Sequence, residues 1–412
     1  MNFFFYFFAA ILILLSFRSF RGGIEYLRFF KRELAKPRPE YTPFVTIIAP
    51  CRGLDEGLEK NLLALVEQDY PEYEVIFVVD DNADPSIAVV NTILNRSDAN
   101  PVRTGSDSDW VPKKCKLVVA PKAQYSSQKV ENLREAVLHT DERSEAFIFV
   151  DSDSRPSPDW IRYLVAPLED ENVGAATGYR WFISDNPTFA SEMRSAWNAS
   201  IASALGPNLK SNFCWGGSTA IRRDVFKRID IREKWSGTLS DDFAVTRAMK
   251  AAGLPIVFVP RALTASVENC SVREMLEFTT RQMKITRVYA THLWVISFIG
   301  SGLFNAVMIA SVLITLLSQP NRLPFYAALS TFVLVTIFST GKAWLRLKAV
   351  RLVLIEYEPQ LKRQFWTQNT YWLLAPALFF YNSFAAWISR RMTWRGIRYE
   401  LKSPSETVII AD

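Results

Sequence analysis

Twenty-five consecutive residues without a charge, Leu293–Leu317, set the first limit on this chain. Lipid offers the backbone no hydrogen-bond partner, so a stretch of this length crosses a membrane as a helix. Three further apolar runs share the property in weaker form: Asn2–Phe17, Phe325–Thr340 and Tyr371–Ser389, the last interrupted by Pro376. Four such runs argue against buried core helices of a soluble protein. A signal peptide carries its positive charge before the apolar run, whereas here Arg18, Arg21, Arg28, Lys31 and Arg32 follow it. That order predicts a retained anchor whose C-terminal side faces the cytosol. Trp344–Leu354 mixes cations with apolar residues at helical spacing, as an interfacial helix does. Arg390, Arg391, Arg395 and Arg398 place the C-terminal tail in the cytosol too. One segment, Tyr371–Ser389, is then expected to enter and leave on the same side. The expected protein is integral and multi-pass, with its soluble domain facing the cytosol.

Between the apolar ends the pattern changes to that of an α/β domain. Val45–Ala49, Glu74–Val79, Cys115–Ala120 and Phe147–Val150 read as buried-type strands. Leu58–Gln68, Gln128–Thr140, Asp159–Leu168 and Phe243–Ala252 carry helical spacing, and the segment from Asn95 to Trp110 is polar and reads as a surface loop. Strands alternating with helices imply a largely parallel, doubly wound sheet. The expected organisation is 1–34 anchor and basic linker, 35–270 soluble domain, 271–290 amphipathic helix, and 291–412 membrane segments and tail. Lys and Arg number 48 against 42 Asp and Glu, with no basic stripe, so nucleic acid is excluded as a partner. Four scattered cysteines and two histidines exclude a zinc site and a disulfide framework.

Acidic residues mark where the strands end. Phe147–Val150 runs into Asp151-Ser152-Asp153, and Pro156 and Pro158 forbid its continuation. Ligands bind at the carboxyl edge of an open α/β sheet, and paired carboxylates there suit Mg²⁺ or Mn²⁺ carrying a diphosphate. The same acids can also simply cap the turn before Pro156. Glu74–Val79 likewise ends in Asp80, Asp81 and Asp84, which either hold a nucleotide's base or ribose or start a helix. Gly216-Gly217 makes a turn that lets backbone approach a ligand closely, or is only a tight turn. Asp241-Asp242 opens a helix, where acids are electrostatically favoured; one of them is otherwise a candidate general base. Ser271-Val272-Arg273-Glu274 is a capping box for a helix reaching Tyr289, with Arg281, Lys284 and Ile285 on one face.

The order of these parts resembles the inverting, membrane-bound glycosyltransferases of the GT-A fold, family 2/21 type, and within them the ceramide glucosyltransferase group. Local wording shared with that group includes Gln68–Val75, Asp84-Pro85, Gln128–Leu133, Arg223-Asp224-Val225 and Trp394–Tyr399. The resemblance implies donor binding by Pro50, Asp81, Lys129, Asp151 and Asp153, with Asp153 and Asp151 on Mg²⁺ or Mn²⁺. It implies Asp242 as the base with Asp241 beside it, and Gly216, Gly217, Arg281 and Lys284 on the acceptor and diphosphate side. The implied partners are a UDP-sugar and a membrane lipid alcohol such as ceramide or diacylglycerol at the bilayer surface. Two departures stand out. Ile285 occupies a position where the family has an aromatic residue, and neither His139 nor His292 lies between Asp153 and Gly216.

Other readings fit less of the chain. A haloacid-dehalogenase-type phosphatase also uses Asp-x-Asp after a buried strand, but wants Thr or Val where Arg155 stands and its acidic strand first. A processive polysaccharide synthase needs more spanning helices and the aromatic residue that Ile285 replaces. A non-enzymatic membrane scaffold would account for Ile285 but not for the retention of every acid.

Overall fold

The strands expected from the apolar runs form one side of a seven-stranded sheet. The computed structural model describes residues 2–99, 102–103, 110–111, 114–320 and 322–410. They fall into two units. One holds Glu33–Asp185, Ala204–Asn269 and Arg390–Asp412; the other holds Met1–Arg32, Asn186–Ser203 and Cys270–Ser389.

In the first, the sheet unit, the strands are β1 (Val45–Pro50), β2 (Tyr73–Val79), β3 (Lys114–Val119), β4 (Ala146–Phe149), β5 (Ala175–Ile183), β6 (Thr219–Arg222) and β7 (Ile256–Val267). Their order is β3-β2-β1-β4-β6-β5-β7, and only β6 runs antiparallel to its neighbours. The mixed α/β class with a mostly parallel sheet is therefore as expected. Every residue of β2 and β4 is buried. Alternation sorts them: Ile47, Val75, Phe77 and Ile148 pack with Leu62, Trp160 and Leu164 on one face. Ile48, Ile76, Phe147 and Phe149 pack with Val130, Leu133, Phe226 and Trp235 on the other. Each such side chain stabilises the fold by about 1.5–3 kcal/mol on full burial.

Two strands of this sheet carry no clean sequence signal. β5 is buried throughout although it contains Gly178 and Arg180. β7 contains Pro260 and Arg261, yet it pairs with β5 across a register shift between Thr177 and Tyr179. A proline is tolerated at such a bulge on an edge strand. Gly178 is required there, since a Cβ would stand 2.0 Å from the Ala262 carbonyl oxygen. The polar segment 95–110 begins as helix, because Ser86–Ala99 is helical. Beyond it, Val102–Arg103 pairs with Trp110–Val111, and the rest of that stretch lies outside the described residues.

A second sheet closes this unit. Strands β8 (Arg391–Trp394), β9 (Ile397–Ser403) and β10 (Glu406–Ile409) form an antiparallel meander. Its first turn has positive φ at both Arg395 (49°) and Gly396 (79°), the combination a two-residue hairpin turn of the right twist requires.

The second, helical unit contains the helix Asn2–Leu34 as far as Arg32, and Phe189–Ala202, Val272–Tyr289, Thr291–Leu317, Leu323–Arg351, Glu358–Thr370 and Ala375–Ile388. Among the described residues, three helices are long and apolar enough to cross a membrane: Phe3–Leu34, Thr291–Leu317 and Leu323–Arg351. Several expected boundaries change. The basic residues Arg18–Arg32 continue the first helix rather than forming a linker, because no proline intervenes. Trp344–Leu354 is not a separate interfacial helix: residues up to Arg351 extend the helix begun at Leu323, with Gly341 accommodated against the Phe20 ring. The amphipathic helix and the span after it are separate helices, since Ala290 leaves helical geometry (φ −142°, ψ 61°) between them. Tyr371–Ser389 becomes a 3₁₀ turn and a 14-residue helix. At about 1.5 Å per residue that helix falls short of a bilayer core.

Candidate active site

Parallel pairing aligns the strand ends. Ile48 stands opposite Phe149, and Phe149 opposite Thr219, so the ends of β1 and β4 and the start of β6 share one edge. Three chain segments meet there: Asp151–Asp153 after β4, Trp215–Ser218 before β6, and the helix Asp241–Ala251. Lys129 ties them together. Its Nζ lies 2.6 Å from Asp151 Oδ1 and 3.0 Å from Asp241 Oδ1. Lys129 sits in the first turn of the helix Gln128–Ala136, whose cap is Ser127. The Ser127 hydroxyl accepts from Val130 N and donates to Leu239 O, and Ser127 N donates to Thr238 O. One cap thus fixes the Lys129 helix to the chain entering Asp241-Asp242.

Gly216 is a steric requirement of this arrangement. A Cβ there would lie 2.5 Å from Asp241 Oδ2 and 2.9 Å from Lys129 Nζ. At Gly217 a Cβ would strike the Trp215 ring. Asp242 is half-buried; its Oδ1 accepts from the Ser240 hydroxyl and from Phe243 N, while Oδ2 has only a long contact, 3.4 Å, from Gly216 N. Asp241 is the buried member of the pair, and Trp235 Nε1 donates to its carbonyl.

Charge and burial set the protonation of these groups. Burial raises the Asp241 carboxyl to about 6, with Asp242 and Asp151 adding to the rise and Lys129 opposing it. Burial would lower the Lys129 ammonium, but Asp151, Asp241 and Asp242 together hold it above its ordinary value. Asp151 and Asp153 diverge. Burial raises both; Lys129 and Arg180 outweigh it at Asp151 and hold that carboxyl low. At Asp153 burial and the Asp151 charge prevail over Arg180, and the carboxyl is held high.

Several residues of the site had no sequence signal. Arg180, in the middle of β5, pairs with Asp153 Oδ2 at 2.9 Å and lies over the Trp215 and Phe182 rings. An arginine inside an otherwise apolar strand was the only available hint. Asp153 Oδ1 is buried with no partner. At the end of β2, Asp80 rather than Asp81 is the enclosed acid. Its side chain is 1% exposed and pairs with Arg52 and Lys122, whereas Asp81 is 51% exposed and meets Lys122. Asp80 Oδ1, too, is buried without a partner. Pro50 ends β1 beside them, and Asp84 accepts from Gly53 N and Ser86 N.

The C-terminal hairpin reaches this edge. Arg395 makes a two-pronged ion pair with Asp55, at 2.6 and 2.8 Å, and Asp55 accepts from the Ser152 hydroxyl between the two strand-end aspartates. Arg52 Nε donates to the Arg395 carbonyl, and Gln128 N donates to the Tyr399 hydroxyl. Burial would lower the Arg395 guanidinium, but Asp55 and then Asp153 hold it above its ordinary value. Arg281 and Lys284, by contrast, lie on the helix Val272–Tyr289 of the helical unit, where Ile285 is a core residue at 5% exposure. Among the described residues no group of three His, Cys, Asp or Glu is arranged to hold a metal ion unaided.

The edge thus brings together an open, mostly parallel sheet, paired acids after β4, a glycine turn and a second acid pair at a helix start. The profile of glycosyl transferase family 21 matches residues 12–407, and the chain belongs to that family. It is 31% identical over 78 residues to the ceramide glucosyltransferase of Komagataella phaffii (strain GS115 / ATCC 20864), a stretch covering 19% of this chain and 15% of that protein. Solved structures with a related trace include the mannosyltransferase PcManGT from Pyrobaculum calidifontis, in complex with GDP-Man and Mn²⁺. There the TM-score is 0.43 and the identity 19%, over 91% of this chain and 99% of the other. Glucosyl-3-phosphoglycerate synthase from Mycobacterium tuberculosis aligns with a TM-score of 0.35 and 14% identity, over 60% of this chain and 84% of the other.

Proposed function

We propose that this transferase moves a sugar, glucose by resemblance, from a UDP-sugar to the hydroxyl of a membrane lipid such as ceramide or diacylglycerol, with inversion at the anomeric carbon. The observation that carries this reading is the Lys129 bridge, which holds Asp151 after β4 and Asp241 at the helix start around one cation. In the proposed reaction Asp242 takes the proton of the acceptor hydroxyl as that oxygen attacks, a contribution of about 10²–10⁴-fold in rate. Its less constrained Oδ2 is the oxygen available for this. Asp241, occupied with Lys129, positions that ammonium rather than reacting. Lys129 neutralises charge developing on the departing diphosphate, a role in which a fixed cation in an enclosed site is effective. Asp80 or Asp81 is assigned to the uracil or ribose, and Arg281 and Lys284, by resemblance, to the leaving-group side.

Mg²⁺ or Mn²⁺ fits this donor set. Such ions commonly bind through one or two carboxylates completed by substrate phosphates and water. Asp153, with one buried oxygen unpartnered, and Asp151 would hold it. When bound, the ion supplies further positive charge to the diphosphate. The expected setting is a bilayer, with the sheet unit on the cytosolic side and Tyr371–Ser389 entering and leaving on one side.

The test is incubation of the purified full chain with radiolabelled UDP-glucose, a divalent cation and mixed lipids. Label is expected in an organic-extractable lipid, with UDP released in equal amount. A water-soluble labelled polymer, release of inorganic phosphate, or no labelled lipid with any UDP-sugar would refute the reading.

A further inference from the structure

Within the helical unit, two cations lie side by side without an acid. Lys342 and Arg346 are one turn apart on the helix Leu323–Arg351, an arrangement that by itself disfavours the helix. They line a cavity of about 110 Å³, together with Ser19, Gly22 and Tyr26 from the helix Asn2–Leu34 and Ser203. None of the lining residues is Asp or Glu. Lys342 Nζ donates to the Ser19 hydroxyl at 2.9 Å. Arg346 is only 5% exposed; one Nη makes a long contact, 3.5 Å, with the Gln368 side-chain oxygen. Its Nε is buried with no partner.

Close helix contact creates this space. A Cβ at Gly23 would come within 3.3 Å of the Lys342 Cα, so the two helices touch there. One residue earlier, a Cβ at Gly22 would meet nothing within 4 Å, and Gly22 is exposed. The cavity is therefore open on the Gly22 side. Its polar lining consists of two obligate donors and three hydroxyls able to donate. A buried arginine without a carboxylate costs free energy that a bound anion recovers.

We propose that this cavity binds a phosphate group, and that in the membrane the phosphate belongs to the headgroup of an anionic lipid. A phosphate monoester or diester offers several acceptor oxygens to Arg346, Lys342 and the hydroxyls, and a guanidinium suits it geometrically. The lipid is the favoured source because both cavity-forming helices are apolar enough to cross a bilayer. A headgroup phosphate would also separate Lys342 from Arg346 electrostatically and so stabilise the contact between the two helices. This site is independent of the sugar-transfer reading, since none of its lining residues is assigned to the donor, the acceptor or the leaving group.

Native mass spectrometry of the full chain in a neutral detergent tests the proposal. Phosphatidic acid is added in one arm, triacylglycerol in a second and inorganic phosphate in a third. Phosphatidic acid is expected to be retained at least tenfold more than triacylglycerol, and to be displaced by excess inorganic phosphate. Arg346→Gln is expected to lower retention at least tenfold. Gly22→Leu keeps both cations but fills the open space, and is expected to do the same while melting like the parent chain. Equal retention of triacylglycerol overturns the proposal, as does unchanged retention of phosphatidic acid in both variants. Binding of inorganic phosphate without any preference for the phospholipid overturns the membrane source.

Discussion

Two of the places that enclose cations in this molecule handle them in opposite ways. At the sheet edge the enclosed cations have carboxylates: Lys129 has Asp151 and Asp241, and Arg180 has Asp153; the more exposed Arg395 has Asp55. In the helical unit Lys342 and Arg346 face hydroxyls and an amide. The first arrangement is self-neutralised and holds its cations in fixed positions before any ligand arrives. The second is left positive and is completed only from outside. Preorganised charge of the first kind serves a reaction, because little rearrangement is needed as charge develops. Unbalanced charge of the second kind serves binding.

The largest expected effect tests the acid side of the contrast. Asp242→Asn should lower turnover by about 10²–10⁴-fold while donor affinity, followed by calorimetry with UDP, stays within a few-fold, because a base acts only in the transition state. Near-normal turnover would move the role to Asp241. Next comes a direct comparison of the two regions by unfolding in detergent. Lys129→Met should destabilise the protein by about 3–5 kcal/mol, since it strands two enclosed carboxylates, and adding Asp241→Asn should recover part of the loss. Arg346→Gln, measured without phosphate or anionic lipid, should cost nothing comparable. Equal losses at both places would erase the distinction.

A smaller effect is expected at the C-terminal hairpin. Arg395→Lys keeps the charge but loses the two-pronged fit to Asp55, and turnover should fall roughly tenfold or less. Unchanged kinetics would mean that the hairpin does not support the Asp151–Asp153 loop. The finest test is pH. Asp241 titrates near 6 in the folded protein against 3.8 as a free side chain. Folding therefore favours its protonated form, and the stability this contributes is complete below 3.8 and lost as pH rises through about 6. Across pH 4–7 the melting temperature of the parent chain should fall relative to that of Asp241→Asn. A constant difference would show that Asp241 is ionised throughout.

Much of the sheet edge was legible because its signals are local. The ends of β1, β2 and β4 announce themselves where an apolar run stops at proline or aspartate, and Asp241-Asp242 at a helix start. Arg180 was hidden because its strand breaks the usual pattern with Gly178 and a charged residue. β7 was hidden by Pro260, which a bulge accommodates. Asp55 and Arg395 could not be paired in advance, being 340 positions apart. In the membrane segments, hydropathy found the spans but not their ends, because Gly341 and the basic residues after Phe17 do not interrupt a helix that is otherwise well packed.

The discontinuity of the sheet unit has a consequence for how the enzyme is made. Its last strands, Arg391–Ile409, are translated only after all three long apolar helices, yet they supply Arg395 to Asp55 and the Tyr399 hydroxyl to the helix carrying Lys129. A nascent chain that stalls between Arg351 and Arg391 holds the acids but not the hairpin's contacts to them. The contacts that brace the acidic edge from the hairpin are thus the last to form, after the apolar helices have left the ribosome.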